Sequence, residues 1–218
     1  MEIQFGVGGE DAKLFVAELF QAYERYFSHH SIEFTLVSRE HGFISAKLRG
    51  HNVATLFQRE VGKHCVQRVS TTESRGRVHT SIVTVSVLPI RHSTESGINE
   101  SDVQFLYKRG SGPGGQAKNK LSVCVDARHI PTGLRVTIDG RSQLQNKMQA
   151  LQILEARLRE RSRNQRAQDD RTLRRQQRGD AGRSDKVRTY NFPRGEVIDH
   201  RSGRKSNLKA FLKGGIAF

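Results

Sequence analysis

Residues 103–125, VQFLYKRGSGPGGQAKNKLSVCV, place a glycine-rich segment between two stretches in which apolar and polar residues alternate. A third alternating stretch follows a Pro-Thr-Gly turn at residues 131–133. Because successive side chains of a strand face opposite sides of a sheet, the alternation predicts three half-buried strands. Their apolar members are Val103, Phe105, Tyr107, Leu121, Val123, Val125, Leu134, Val136 and Ile138. The pattern predicts a small mixed sheet that presents the glycines at one tip.

After this sheet the pattern changes to the period of a helix. Apolar residues recur every three or four positions from residue 142, which predicts a long helix that packs at its start. They are Leu144, Met148, Leu151, Leu154 and Leu158. Residues 159–178 are dominated by Arg, Gln and Asp, so we expect the second half of the helix to face solvent and to lie near RNA.

The first part of the chain predicts a separate group of elements. Residues 10–27 carry apolar side chains at helical spacing, and residues 52–62 predict a shorter helix. Residues 32–36 and 83–87 alternate and predict strands. The polar segment between the shorter helix and the second strand, HCVQRVSTTESRGRVHTS at residues 64–81, has little to bury and is predicted to be a loop.

Together these patterns predict an α+β protein of two lobes. Residues 1–96 form an α/β-sandwich-like lobe, and residues 97–186 form a small mixed-sheet lobe with a long C-terminal helix. The final segment, residues 187–218, restores apolar residues such as Tyr190, Phe192 and Pro193. We expect it to pack on the first lobe.

Composition and residue spacing narrow the class of function. Lys and Arg outnumber Asp and Glu by 37 to 22, and the formal net charge is +15, which favours nucleic acid as partner. No apolar run approaches the roughly 18 residues of a membrane span, and the start of the chain is not a secretion signal. We therefore expect a cytoplasmic protein without a membrane partner. Cys65 and Cys124 lack the spacing of metal ligands and are predicted to be reduced core residues, so no metal is expected.

The glycine-rich segment allows three interpretations. Residues 110–115 satisfy the dinucleotide-binding pattern GxGxxG only formally, because a strand rather than a helix follows, and no cofactor is expected. A plain surface loop is the second interpretation. In the third, Gly114 and Gly115 permit backbone angles closed to other residues, so Gln116 is presented at a tip with its own N–H exposed. Such an N–H can stabilise an oxyanion, and the neutral amide can orient a water molecule. Flanking cations would hold the tip against phosphates: Lys108, Arg109, Lys118 and Lys120.

RGSGPGGQAKNK resembles the GGQ motif of class I peptide chain release factors, which hydrolyse peptidyl-tRNA on the ribosome. Further segments resemble signatures of that family: GVGGEDAKLF, HCVQRVSTTESRGRVHTS, RSQLQNK and RSDKVRTYNFPRGEVIDHR. The resemblance implies that the N–H of Gln116, held by Gly114 and Gly115, stabilises the transition state or leaving group while the side chain places water. It also implies methylation of Gln116 by a glutamine methyltransferase. The partners implied are ribosomal RNA, the mRNA stop codon and peptidyl-tRNA, and we expect a monomer.

The resemblance also implies residues that read a stop codon. Relatives specific for UAG carry Pro-x-Thr, and those specific for UGA carry Ser-Pro-Phe, where this chain has Ser70-Thr71-Thr72. The residues implied are Gly8, Asp11, Gln67, Ser70, Thr72, His79 and Thr80, with His79 stacking on a base. Relatives have Glu in place of Asp11. Arg68 and Arg77 are expected to contact the RNA backbone.

Three functional hypotheses follow. In the first, residues 1–96 form a codon-recognition domain and residues 97–186 a catalytic domain, and the protein triggers ester hydrolysis within the ribosome in response to a stop codon. In the second, the protein rescues stalled ribosomes without reading a codon, which the changed tripeptide and the basic tail favour. In the third, it is a non-catalytic competitor for the ribosome. The resemblance implies a short form without the N-terminal domain of typical members.

Overall fold

The computed structural model describes residues 1–70, 73, 76–90, 98–110, 120–178 and 186–216. The chain forms two compact units, one comprising Met1–Ile90 and Asp170–Phe218, the other Arg91–Asp169. Both contain helices and sheet, so the predicted α+β class is confirmed. The predicted boundary near residue 186 differs from the observed division at Asp169.

In chain order, the described residues form β1 (Glu2–Phe5), α1 (Gly9–His29), β2 (Glu33–Glu40), β3 (Phe43–Arg49), α2 (Val53–Gln58), β4 (Gly62–Val69), β5 (Val78–Ser86), β6 (Val103–Lys108), β7 (Cys124–His129), β8 (Arg135–Ile138), α3 (Gln143–Arg178), β9 (Lys186–Asn191), β10 (Glu196–Asp199), β11 (Lys205–Asn207) and α4 (Leu208–Leu212).

The first unit is built on one large sheet with the strand order β11-β10-β9-β4-β5-β1-β3-β2. Its neighbouring strands are antiparallel except for the parallel pair β4 and β9. The helix α1 packs on this sheet through its apolar stripe, which is buried as predicted: Phe15, Leu19 and Tyr23 are at 0% exposure and Tyr26 is at 4%. This burial fixes the N-terminus of α1 beside β5.

The prediction of a loop over residues 64–81 was wrong. β4 continues to Val69 and β5 begins at Val78, so only the stretch between them connects the strands. Polar residues can lie within these strands because their buried polar groups form hydrogen bonds with the rest of the protein. His64 is fully buried, and its ring nitrogens contact the Tyr190 hydroxyl at 2.9 Å and the Glu60 carbonyl at 2.8 Å. Such bonds offset the cost of burying polar side chains.

The C-terminal segment packs on the first unit, as predicted. Tyr190 is fully buried, and its ring centroid lies 5.0 Å from that of Phe15 and 5.1 Å from that of Phe211. The last turns of α3 also belong to this unit: Arg174 bonds both carboxylate oxygens of Glu2, and Gln177 bonds the N–H and carbonyl of Val87. These bonds explain why the division falls at Asp169. Residues 159–178 otherwise include no buried residue, so the predicted solvated face is confirmed apart from these contacts.

The second unit consists of the sheet β6-β7-β8 and the start of α3. The predicted apolar stripe was wrong at its start, where Leu144 and Met148 are 69% and 56% exposed, but Leu154 is buried and Leu151 and Leu158 pack against the core as predicted. The buried residues of α3 are Asn146, Ala150 and Leu154. Asn146 can occupy this face because its side-chain amide is bonded to backbone carbonyls. Cys65 and Cys124 are buried free thiols, as predicted.

Candidate nucleic-acid interface

A cleft of about 360 Å³ lies in the first unit, where the N-terminus of α1 meets the ends of β4 and β5. Residues from three separate parts of the sequence line it: Gly8, Asp11, Ser70, Glu73, His79, Thr80 and Ser81. Five of these belong to the predicted codon-reading set. Gln67 lies on β4 directly opposite Thr80 and bonds Asn191, with Nδ2 to Oε1 at 3.2 Å. Thr72 lies outside the described residues.

The backbone at Gly8 sets the width of the cleft. Gly8 caps α1 with φ of 125°, and it supplies no side-chain bond to the first turn of the helix. Gly8 itself therefore satisfies none of the N–H groups of that turn through a side chain. A Cβ at Gly8 would lie 2.7 Å from the Cα of Ser81 and closer still to its hydroxyl oxygen. Only glycine permits this approach between the helix and β5.

Asp11 is buried, and both of its carboxylate oxygens are used within the protein. Oδ1 accepts a bond from Arg68 Nε at 2.7 Å, and Oδ2 accepts one from the Ser81 hydroxyl at 2.7 Å. The Asp11 side chain therefore joins α1 to both β4 and β5. Any contact of this position with a nucleotide is left to its backbone or to a rearranged side chain.

The structure uses Arg68 differently from the prediction of an RNA backbone contact. Its side chain is only 12% exposed, and Nη1 donates to both carboxylate oxygens of Glu18 at 2.8 and 2.7 Å. The guanidinium also lies over the rings of Phe15 and Phe192, at 5.8 and 5.1 Å from their centroids. Its charge is therefore satisfied by internal acids and rings rather than presented to RNA.

His79 contacts a carboxylate that was not predicted from the sequence. Its Nε2 bonds Glu73 Oε2, and Arg77 Nη2 lies 3.3 Å from the same oxygen. The N–H of Glu73 donates to the Ser70 carbonyl at 3.0 Å, and both residues line the cleft. His79 remains 46% exposed, so part of its ring is accessible to a partner. The one sequence feature that could have indicated a role for Glu73 is its position in the same polar segment as Ser70 and His79.

A second polar cluster lies at the base of the glycine-rich segment. Asp126 is 1% exposed and binds Arg135 through Nε at 2.6 Å, Lys108 Nζ at 2.7 Å and the Thr137 hydroxyl at 3.2 Å. The Arg135 guanidinium is the main reason that the pKa of Asp126 lies well below its usual range. Lys108, predicted to contact RNA, is thus paired within the protein.

The remaining predicted residues divide into two groups. Arg109 and Lys120 are exposed, as an RNA contact requires. Gly114, Gly115, Gln116 and Lys118 lie outside the described residues, so their roles stay predictions. The described residues contain no group of three or more His, Cys, Asp or Glu side chains that could hold a metal. None of their helices is both long enough and apolar enough to cross a membrane.

A buried polar network, which no sequence pattern indicated, also lies beneath β4 in the first unit. Tyr23 Oη donates to Glu60 Oε2 at 2.8 Å, and Arg188 Nη2 lies 2.7 Å from Glu60 Oε1. Burial raises the pKa of Glu60 and lowers the pKa of His64 to about 3. His64 is therefore neutral in the folded protein.

Comparison with known proteins gives consistent matches along the chain. The RF-1 domain family matches residues 92–201, and the PCRF domain family matches residues 1–85. A protein named peptide chain release factor 1 from Rickettsia bellii (strain OSU 85-389) is 43% identical, over 92% of this chain and 58% of that protein. A protein of the same name from Campylobacter curvus is 41% identical, over 99% of this chain and 63% of that protein.

A solved structure described as RF2 of Thermus thermophilus is also similar, with a TM-score of 0.55 and 31% sequence identity. The match covers 98% of this chain and 63% of that one. The chain thus spans about three fifths of the length of the relatives it matches.

Proposed function

The chain belongs to the family of peptide chain release factors, and from this premise we propose that it binds the ribosomal A site and triggers hydrolysis of peptidyl-tRNA at a stop codon. Its partners in this proposal are ribosomal RNA, the stop codon of the mRNA and peptidyl-tRNA. It acts as a monomer, and it acts in the cytoplasm because ribosomes translate there.

One observation carries the codon-reading part of the proposal. The cleft of the first unit gathers Gly8, Asp11, Ser70, His79 and Thr80 from segments about 60 residues apart in the sequence. Hydroxyl groups, a half-exposed imidazole and the N-terminus of α1 suit the edges and faces of unstacked bases better than they suit phosphates. Gln67 and Thr72 complete the set, and Arg77, Arg109, Lys118 and Lys120 supply the contacts to RNA backbone.

The hydrolytic part rests on Gln116. A water oxygen attacks the ester carbonyl, the bond to the tRNA 3′ oxygen breaks, and that oxygen gains a proton. The backbone N–H of Gln116, held by Gly114 and Gly115, stabilises the negative charge that develops, and its side-chain amide orients the water. Glutamine is neutral, so the ribosome must supply the rest of the chemistry. A glutamine methyltransferase modifies this side chain in the same proposal.

Rescue of stalled ribosomes is the second candidate function. Ser70-Thr71-Thr72 matches neither tripeptide of codon-specific relatives, and the C-terminal tail is basic. A basic tail can bind RNA without reading a codon. A factor that only competes for the ribosome would bind and release nothing.

One experiment separates these functions. Purified ribosomes carrying labelled peptidyl-tRNA are programmed with each stop codon, with a sense codon or with an empty A site, and peptide release is measured. Release confined to stop codons supports termination, release at the empty site supports rescue, and binding without release refutes a hydrolytic role. Gln116→Pro removes the N–H donor and should abolish release while ribosome binding persists.

A further inference from the structure

Both ends of the glycine-rich segment are described, although residues 111–119 are not. β6 and β7 pair from Val103 opposite His129 to Lys108 opposite Cys124, where the ladder ends. Residues 121–123 lead into β7 but belong to no strand. Their backbone is therefore held by something other than the sheet.

Side-chain amides from the first turns of α3 hold this returning stretch. Gln143 Nε2 donates to the Ser122 carbonyl at 3.0 Å, and Asn146 Nδ2 donates to the Val123 carbonyl at 2.8 Å. The same Nδ2 donates to the Gly140 carbonyl at 3.2 Å. One amide group thus ties the backbone that precedes β7 to the backbone that precedes α3.

Asn146 is built into the second unit. It is 3% exposed and shares the buried face of α3 with Ala150 and Leu154. A Cβ at Gly140 would collide with Asn146 Oδ1 and would lie 3.2 Å from its Cγ, so the backbone approaches as closely as glycine allows. A buried amide is costly unless its bonds are made, and a rigid helix fixes their geometry. This arrangement suits a fixed anchor better than an adaptable one.

The outgoing end of the segment has its own anchor. Lys108, the last residue of β6, places Nζ 2.7 Å from Asp126 Oδ2, and Arg135 holds the same carboxylate. Lys108 is 44% exposed, whereas Asn146 is buried. The anchor of the returning end is therefore the buried one of the two.

We propose that Asn146 is a positioning residue for Gln116, acting through the backbone that returns from the glycine-rich segment. This inference rests on the proposed function. A displacement of about 1 Å at a reacting group can cost about 100-fold in rate. Loss of the anchor should therefore slow ester hydrolysis, while the codon cleft, which lies wholly in the first unit, continues to bind.

The test compares the full chain with Asn146→Asp, which preserves size but turns an oxygen toward two carbonyls. Gln149→Ala, an exposed amide on the same helix, is the first control. Val136→Ala, which thins the buried core of the second unit, is the second and reports the effect of lost stability alone. Peptide release from stop-codon ribosomes is measured against protein concentration, well below the melting temperature of each variant.

We expect the release rate of Asn146→Asp at saturation to fall about 10-fold or more, because the reacting amide is misplaced. Its half-saturating concentration should stay within about twofold of that of the wild type, because binding is retained. Both controls should keep the wild-type rate. An unchanged rate in Asn146→Asp, or an equal loss in Val136→Ala, would overturn the inference. Absence of release by the wild-type protein would overturn the proposed function itself.

Discussion

Replacing Gly8 by alanine should damage the first unit far more than the same change at Gly9. Both glycines have positive φ, 125° and 58°, and both begin α1. They differ in the space around them: a Cβ at Gly9 meets no atom within 4 Å, whereas one at Gly8 lies 2.5 Å from the Cβ of Ser81 and 2.7 Å from its Cα. The pair therefore separates steric conflict from backbone preference.

The expected magnitudes follow from these distances. At Gly9 alanine enters the left-handed helical region, which costs about 1–2 kcal/mol. At Gly8 the backbone angles are closed to residues with a Cβ, which costs about 1–3 kcal/mol. The contact with Ser81 must also lengthen by about 1 Å to reach ordinary van der Waals separation, and such overpacking costs about 1–3 kcal/mol more. Gly8→Ala should thus lose about 2–6 kcal/mol, a large share of the stability of an ordinary domain.

Urea unfolding of the wild type and both variants measures these losses, and binding to stop-codon ribosomes measures the effect on the cleft. The unfolding midpoint of Gly8→Ala should fall well below that of Gly9→Ala. If it folds, its ribosome affinity should fall as well, because α1 and β5 are pushed apart. Equal midpoints for the two variants would refute the close approach of Gly8 to Ser81 and the cleft geometry that depends on it.

Three further predictions concern the buried polar groups. Burial lowers the folded pKa of His64 to about 3, so His64 is neutral when folded and takes up a proton on unfolding below pH 6.5. The wild type should therefore exceed His64→Gln in free energy of unfolding by its full margin above pH 6.5. This margin should shrink by at most about 1.4 kcal/mol per pH unit as the pH falls toward 3. A pH-independent difference would contradict this. Arg68→Met leaves the carboxylates of Asp11 and Glu18 without their cation, and it should lower the free energy of unfolding in urea by about 2–4 kcal/mol. The control Arg77→Ala removes an exposed arginine and should cost less than about 0.5 kcal/mol. Similar losses in the two variants would show that Arg68 is not an internal cation. Asp126→Asn weakens charge-assisted hydrogen bonds and should lower the stability of the second unit by about 1–3 kcal/mol. Hydrogen exchange measured for each unit should show no change in the first unit. A loss shared by both units would argue against a local role of Asp126.

The elements that could be predicted from the sequence are those in which apolar residues alone decide burial. The stripe of α1 is of this kind, since Phe15, Leu19 and Tyr23 face the sheet and polar residues face water. β4 could not be found in this way because it is a central strand whose polar side chains are bonded to distant residues, as His64 is to Tyr190. Burial of a polar group depends on a partner, and periodicity carries no information about partners.

The same limit applies to the candidate site. The resemblance supplied its residues, and the structure brings five of the codon-reading set to one cleft, but their mutual bonds could not be predicted. Arg68 was expected to face RNA because an arginine in a polar segment is usually exposed. Its partners Asp11, Glu18 and Phe192 are about 50 to 124 positions away along the chain, so no local pattern could reveal them.

The charges at the cleft suggest a division of labour in a chain with net charge +15. Excess positive charge attracts any polyanion and falls off with salt, so it brings the protein to RNA without selecting a sequence. Inside the cleft two acids are each paired with a cation of the protein, Asp11 with Arg68 and Glu73 with Arg77. Phosphate gains little from Arg68, which is largely buried in its ion pair, whereas Arg77 is 63% exposed and can still contact the RNA backbone. Hydroxyls and a half-exposed imidazole remain for base edges and faces. Selectivity therefore depends on the geometry set by Gly8 and Asp11 rather than on charge. Raising the salt concentration should weaken binding to all ribosomes alike, while the ratio of the affinities for ribosomes with stop and with sense codons should stay unchanged.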